Sequence, residues 1–183
     1  PERALASKTH PPQPHAGHHH LRTDILAGDP SKRKLVLVGN PNVGKSVFFN
    51  YLSGLYVDVS NFPGTTVEVA KASYLEYDLY DTPGIYGVSS FNDEETVARD
   101  IILNADLIVN IVDGVHLERD LFLTQQLIDM GKPVGVAVNM MDEARHQKLD
   151  IDLPALEREL GVPVIGTIAT QREGLDAIHD LIR

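Results

Sequence analysis

The stretch that most limits what this chain can become is LVLVGNPNVGKS, Leu35 to Ser46, an apolar run that breaks into a Gly-rich loop ending in Lys45 and Ser46. Gly39, four residues and then Gly44-Lys45-Ser46 fit the G-x-x-x-x-G-K-[ST] pattern, whose loop amides cradle phosphate oxygens while the Lys reaches the β and γ groups. Such a loop needs a buried strand before it and a helix after it, so that the positive end of the helix faces the anion. Leu35 to Val38 supply the strand, and Val47-Phe48-Phe49-Asn50-Tyr51-Leu52 continues in helical fashion to Ser53-Gly54. Gly39, Asn40, Pro41, Asn42, Val43, Gly44, Lys45, Ser46 and Val47 are therefore the expected phosphate contacts, with the Ser46 hydroxyl on Mg²⁺.

Three later stretches add to this site. Tyr56 to Glu68, with Asn61, Pro63 and Gly64, reads as a mobile loop. A threonine in such a loop can meet Mg²⁺ and the γ-phosphate only when that phosphate is present, and Thr65 and Thr66 are the candidates, with Gly64 beside them. Taken alone, two ordinary loop threonines would explain the stretch as well. Val67 to Ala72 and Leu75 to Tyr80 alternate as two strands of an antiparallel hairpin, joined around Lys71 to Ser73. Its second strand ends in Asp81-Thr82-Pro83-Gly84, a carboxylate placed to hold a Mg²⁺-bound water and a glycine whose amide can contact the γ-phosphate.

Val134 to Val138 is a buried strand running into Asn139-Met140-Met141-Asp142. The Asp142 carboxylate can accept from both N1–H and the exocyclic amine of guanine, a donor pair that adenine lacks. The Asn139 amide can meet the base edge and brace the loops. Between a last strand, Val162 to Thr167, and a last helix, Leu175 to Ile182, Ile168-Ala169-Thr170-Gln171 can offer backbone amides to the guanine oxygen. Elsewhere Asp106 to Asp113 is a buried strand, Leu117 to Met130 an amphipathic helix, and Asp152 to Leu160 a helix closed by Gly161. Asn92-Asp93-Glu94-Glu95 reads as a helix start rather than a metal site, with Asn92 as N-cap and Glu95 at the capping-box position. The alternation predicts a doubly wound α/β fold: about six strands, parallel except for one hairpin edge, helices on both faces, and ligand at the carboxyl ends of the strands.

In order and spacing these motifs resemble the translation-factor-related GTPases. GNPNVGKSVFFNYLSG, NFPGTTVEV, DTPGIYGVSS, DEETVARD, LERDLFLTQQL and GKPVGVAVNMMDEA together resemble the cytosolic G domain of the FeoB ferrous-iron transporter family over residues 34–183. The resemblance implies GTP and GDP as ligands, Lys45 on the β/γ-phosphates, and Ser46, Thr66 and, through water, Asp81 on Mg²⁺. It prefers Thr66 over Thr65 and gives Asn42 a K⁺ ion beside the phosphates, so that Lys45, Thr66, Gly84 and Asn42 would carry catalysis. It also implies a helical regulatory domain and a membrane permease portion in the same polypeptide, a place at the cytoplasmic face of the bacterial inner membrane, and room for a homo-oligomer. Two departures stand out. Ile85 and Tyr86 follow D-x-x-G where Ras-like enzymes place a water-orienting Gln, so hydrolysis should be slow. Ala169 stands where the family's guanine loop commonly has Ser, which should weaken nucleotide affinity or speed release.

Composition bears on the rivals. The net charge of −10 is uneven: residues 1–34 carry six Lys/Arg against three Asp/Glu, leaving ten against twenty-three for the rest. An acidic body argues against nucleic acid as a partner and against a ribosome- or RNA-associated GTPase of the same class, which would bring a basic appendage. Residues 1–33 read as a flexible arm rich in Pro and His, where His15, His18, His19 and His20 could chelate a transition metal. The second rival follows from it: a His-rich metal-sensing module on a passive nucleotide-binding scaffold. No apolar run approaches the ~20 residues of a membrane helix, so a soluble piece is expected, and a start at Pro1 with an end inside a helical pattern suggests a part of a longer polypeptide. Zero cysteines exclude disulfides and thiolate chemistry.

Overall fold

Strand β1 (Arg33–Gly39) sits at the middle of the sheet because both its faces are apolar and both are needed. Val36 and Val38 point into one core cluster and Leu35 and Leu37 into the other, on opposite sides of the sheet. The computed structural model describes residues 29–89 and 91–183, so most of the His/Pro-rich arm, with His15, His18, His19 and His20 as candidate metal ligands, lies outside the described residues.

Along the chain follow α1 (Lys45–Ser53), β2 (Val57–Asn61), β3 (Glu68–Tyr74), β4 (Tyr77–Asp81), α2 (Asp93–Leu103), β5 (Leu107–Asp113) and α3 (Leu117–Asp129). Then come β6 (Val134–Asn139), α4 (Met141–His146), α5 (Leu153–Leu160), β7 (Val164–Gly166) and α6 (Leu175–Ile182). The sheet order is β2-β3-β4-β1-β5-β6-β7. Pairing is parallel from β4 through β7 and antiparallel at β2–β3 and β3–β4. α2 and α3 cover one face through Val97, Ile101, Leu123 and Leu127, while α1 and α6 cover the other through Phe48, Leu52, Leu175 and Ile178.

The α/β class, the largely parallel sheet and helices on both faces agree with expectation. The strand count is seven rather than about six, because Tyr56 to Glu68 is only partly loop: Val57–Asn61 pairs with β3, from Val57 opposite Ala72 to Asn61 opposite Glu68. The one strand running against the rest, β3, is therefore one place in from the edge. Its junction with β4 also lies further on than Lys71 to Ser73. Lys71 and Ser73 are the solvated positions of a strand that continues to Tyr74, and the turn falls at Leu75 and Glu76, where Leu75 takes φ 52°. β7 is shorter than Val162 to Thr167, and α4 was not foreseen. At α2 the Asn92 side chain accepts from the Glu95 N–H at 2.8 Å, as expected of a cap. Glu95 turns back onto the Ser89 hydroxyl at 2.8 Å and the Phe91 N–H at 3.2 Å, so its carboxylate is spent on the helix start. The carboxyl ends of β1, β4, β5, β6 and β7 all open on the same side, and the segments after β1 and β4 line a cleft there.

Candidate functional site

The loop from Gly39 to Ser46 leaves β1 and turns into α1, whose first residue is Lys45 and whose N-terminus carries no side-chain cap. The Val47 N–H donates to Gly44 O at 3.1 Å, so this expected phosphate contact is engaged by the loop itself, and it is the Lys45 and Ser46 amides at the helix start that face outward without a side-chain cap. Gly44 takes φ 89°, and a Cβ there would lie 2.5 Å from Asn139 Nδ2, so both conformation and space demand glycine. Asn42 takes φ 65°, a conformation asparagine tolerates better than most side chains. Asn40, Pro41, Asn42, Gly44, Lys45, Ser46 and Gly84 line a cleft of about 250 Å³. Ser46 is exposed there, and its hydroxyl has no partner among the described residues.

The segment after β4 is pinned against this loop. Thr82 is buried, and its hydroxyl donates to the Leu37 carbonyl at 2.8 Å, so this predicted nucleotide contact faces the sheet instead. The Ile85 N–H donates to Gly39 O at 3.0 Å, and a Cβ on Gly84 would meet Pro41 Cα at 2.9 Å. That close approach puts the Gly84 backbone in the cleft wall. Lys45 Nζ and the Asp81 carboxylate form an ion pair. Burial pushes the Asp81 carboxyl above its ordinary value, and Lys45 opposes that shift. Lys45 lines the cleft, and the Asp81 carboxylate that it pairs with lies behind it.

The two loop threonines are told apart by their contacts. Thr65 donates its hydroxyl to Phe62 O at 2.8 Å and accepts from the Val67 N–H at 3.1 Å, so it stabilises its own turn. Thr66 is exposed, with no hydroxyl partner among the described residues. Neither lines the cleft, and the structure does not bring Thr66 to Ser46.

Asn139 is the joint of the base side. It is buried; its amide donates to Val43 O at 2.9 Å, and its oxygen accepts from the Ala169 N–H at 3.0 Å and the Thr167 hydroxyl at 3.1 Å. Of the two roles expected for Asn139, the structure shows bracing. Ala169 is correspondingly unable to offer its amide to a base. Ile168 and Gln171 donate to Glu173 O and Ile168 O, which leaves the Thr170 amide of that stretch unengaged among the described residues. Met140 takes φ 59° and turns the chain so that Asp142 stands exposed in the first turn of α4, with Met141 packed beneath it. Val43 is buried, while Val47 and Pro83 are half-buried beside the loop.

One cluster escaped the motif reading. The Asn40 side chain donates to Asp120 Oδ1 at 2.9 Å, and Asp120 Oδ2 accepts from the Asp113 N–H at 2.8 Å. Arg119 Nε donates to Asp120 Oδ1 at 2.9 Å, which holds its guanidinium above the ordinary value, and its head lies 5.8 Å from the Tyr86 ring centroid. The available signal was a carboxylate on the apolar face of a helix, with Leu123, Thr124 and Leu127 following on that face.

The family model described as Ferrous iron transport protein B matches residues 33–182. A Fe(2+) transporter FeoB of Legionella pneumophila (strain Paris) is 43% identical over 156 residues, covering 79% of this chain and 20% of the relative. The chain thus spans about a fifth of the length of such curated relatives. Among solved structures, a variant of S. thermophilus NFeoB bound to GDP matches with TM-score 0.77 and 41% identity, covering 81% of this chain and 60% of the other. The FeoB G-domain from Methanococcus jannaschii matches with TM-score 0.69 and 37% identity, over 83% and 96% of the two chains.

Proposed function

Because the chain belongs to the Ferrous iron transport protein B family, as its G domain, we propose that it is a slow GTP-hydrolysing switch whose nucleotide state governs Fe²⁺ passage through a membrane portion of the longer protein. The observation that carries the reading is Asn139, which locks the phosphate loop at Val43 to the guanine loop at Ala169 and so fixes the distance between phosphate and base subsites. Similar chains with bound GDP support guanine as the base.

In this reading the amides at the start of α1 and the Lys45 ammonium take the β- and γ-phosphates, and Lys45 leaves Asp81 to do so. The Asp142 carboxylate accepts from guanine N1–H and its exocyclic amine, and the Thr170 amide is free to meet the guanine oxygen. The oxygen donors Ser46, Thr66 and, through a water, Asp81 suit a hard divalent cation; Mg²⁺ there would neutralise phosphate charge. Thr66 has to swing toward the cleft, which its exposed, unengaged hydroxyl permits, and this makes the loop report the γ-phosphate. The Asn42 side-chain oxygen is the candidate ligand of K⁺, which would offset charge developing between the phosphates.

Water adds to the γ-phosphorus, the bond to the β–γ bridging oxygen breaks, and the proton leaves with inorganic phosphate. No side chain in the cleft wall is suited to serve as general base: Ile85 is buried and Tyr86 points to solvent, 55% exposed. The backbone at Gly84 and the charges must therefore do the orienting, and hydrolysis is slow.

The test is turnover of this chain with Mg²⁺ in KCl against NaCl, with ATP as competitor and Asn42→Ala as control. GTP-selective turnover that rises with K⁺, and loses that rise in Asn42→Ala, is expected. Turnover indifferent to K⁺ removes the cation role, and equal use of ATP sinks the assignment of Asp142.

A further inference from the structure

Asp120 is buried, titratable and unused by the chemistry above. It sits in the first turn of α3, yet neither oxygen caps that helix. Both reach other elements: one accepts from Asn40 Nδ2 in the phosphate loop, the other from the Asp113 N–H at the end of β5. Arg119 neutralises it at 2.9 Å. Burying a carboxylate costs free energy that an apolar side chain of similar size avoids, so a buried acid with three donors marks a position where geometry matters.

Two further observations point the same way. The side chain of Asn40 makes one hydrogen bond, the one to Asp120, while its Oδ1 is buried and has no partner among the described residues. Asp120 therefore supplies the one side-chain hydrogen bond, among the described residues, that orients the residue following Gly39. One turn further along α3, the Thr124 hydroxyl donates to Asn110 Oδ1 at 2.5 Å, and Asn110 Nδ2 donates to Val38 O at 3.1 Å. Two successive turns of α3 thus hold the chain on either side of Gly39, at Val38 through Asn110 and at Asn40 directly.

We propose that Asp120 is a positioning residue for nucleotide binding: through Asn40 it fixes the path of the phosphate loop as it leaves β1. This rests on the reading of the cleft as a guanine-nucleotide site. Asp120 touches no substrate. It acts by holding the loop in its binding shape before the phosphates arrive, so that less of the binding free energy is spent on ordering the loop.

The experiment measures release of a fluorescent GDP analogue from the full chain and its Asn40→Ala, Asp120→Ala, double and Asp120→Asn variants, with thermal unfolding alongside. A hydrogen bond to a charged group is worth enough that each alanine variant should release the analogue about tenfold faster. Both remove the same bond, so the double variant should release no faster than Asp120→Ala. In Asp120→Asn the Asn40 amide can turn over and present its oxygen to the new amide, so release should stay within about threefold of wild type.

Single effects that multiply in the double variant overturn the proposal, as does an Asp120→Ala that unfolds earlier but releases at the wild-type rate. Should Asp120→Ala not fold, Asp120→Asn decides, because release as fast as in Asn40→Ala contradicts the rescue. A wild type that retains no GDP analogue removes the nucleotide reading and the proposal with it, whereas one that retains it beside uncoupled variants removes the proposal alone.

Discussion

The side chains of the site divide by what they hold. Lys45 and Asp81 hold each other, Thr82 holds β1, Thr65 holds its own turn, and Asn139 holds three partners at once. Replacing Asn139 by alanine leaves the Val43 carbonyl and the Ala169 N–H buried without partners, each costing about 1–3 kcal/mol. Asn139→Ala should therefore bind GDP at least tenfold more weakly in a titration and also unfold at lower temperature. Ala169 offers the converse case. It is buried and its N–H already bonds Asn139, so a hydroxyl added there has a polar neighbour to engage. Ala169→Ser should slow GDP release, and equal off-rates for the two proteins would count against a bracing role. The motif positions could be proposed from the sequence because phosphate, magnesium and guanine each demand particular atoms at particular spacings. The inward turn of Thr82 was not legible there, since it lies just past the end of β4, where no alternation fixes which way a side chain turns. Nor was Asp120, whose partner lies 80 residues away.

At the scale of elements, legibility follows burial. β1, β5 and β6 are nearly continuous apolar runs, and α3 and α6 repeat their apolar residues at helical spacing, so each could be placed from pattern alone. β2 has only the short alternation Val57-Asp58-Val59-Ser60, within a stretch whose Asn61, Pro63 and Gly64 read as loop, and all five of its residues are exposed, so neither face is buried. Its strand character comes from pairing with β3, a contact the sequence does not display. What ties β2 and the threonine turn to the body is Phe62, buried next to β2 with its N–H donating to Val67 O at 2.7 Å. Removing a buried phenyl ring costs about 3–5 kcal/mol where the site cannot collapse. Phe62→Ala should lower the denaturant midpoint accordingly. Amide exchange along Val57–Asn61 should also rise much more than along β5, since the strand would lose its anchor while β5 keeps both neighbours. Uniform acceleration over both strands would mean that β2 is held by its ladder instead.

Across the whole molecule the sheet is a platform whose carboxyl end carries the cleft while its interior carries the stability. That interior also ties the fold to pH on the alkaline side. Tyr80, on β4 in the core, is raised to about 12 by burial, with the Asp78 carboxylate adding to the shift. In the unfolded chain a tyrosine ionises near pH 10, as its unperturbed value requires. Below that pH both states keep the proton and the group contributes nothing to pH dependence. Between about 10 and 12 the unfolded chain loses the proton while the folded chain retains it, so the unfolded state is favoured by about 1.4 kcal/mol per pH unit, about 3 kcal/mol over the window. Stability should thus fall on the alkaline side, with the loss beginning at the unfolded rather than the folded value. Urea unfolding at steps from pH 9 to 12 reads this directly. Tyr80→Phe should flatten the alkaline limb by about that amount, and a limb of unchanged slope would show that the other tyrosines or the lysines carry it.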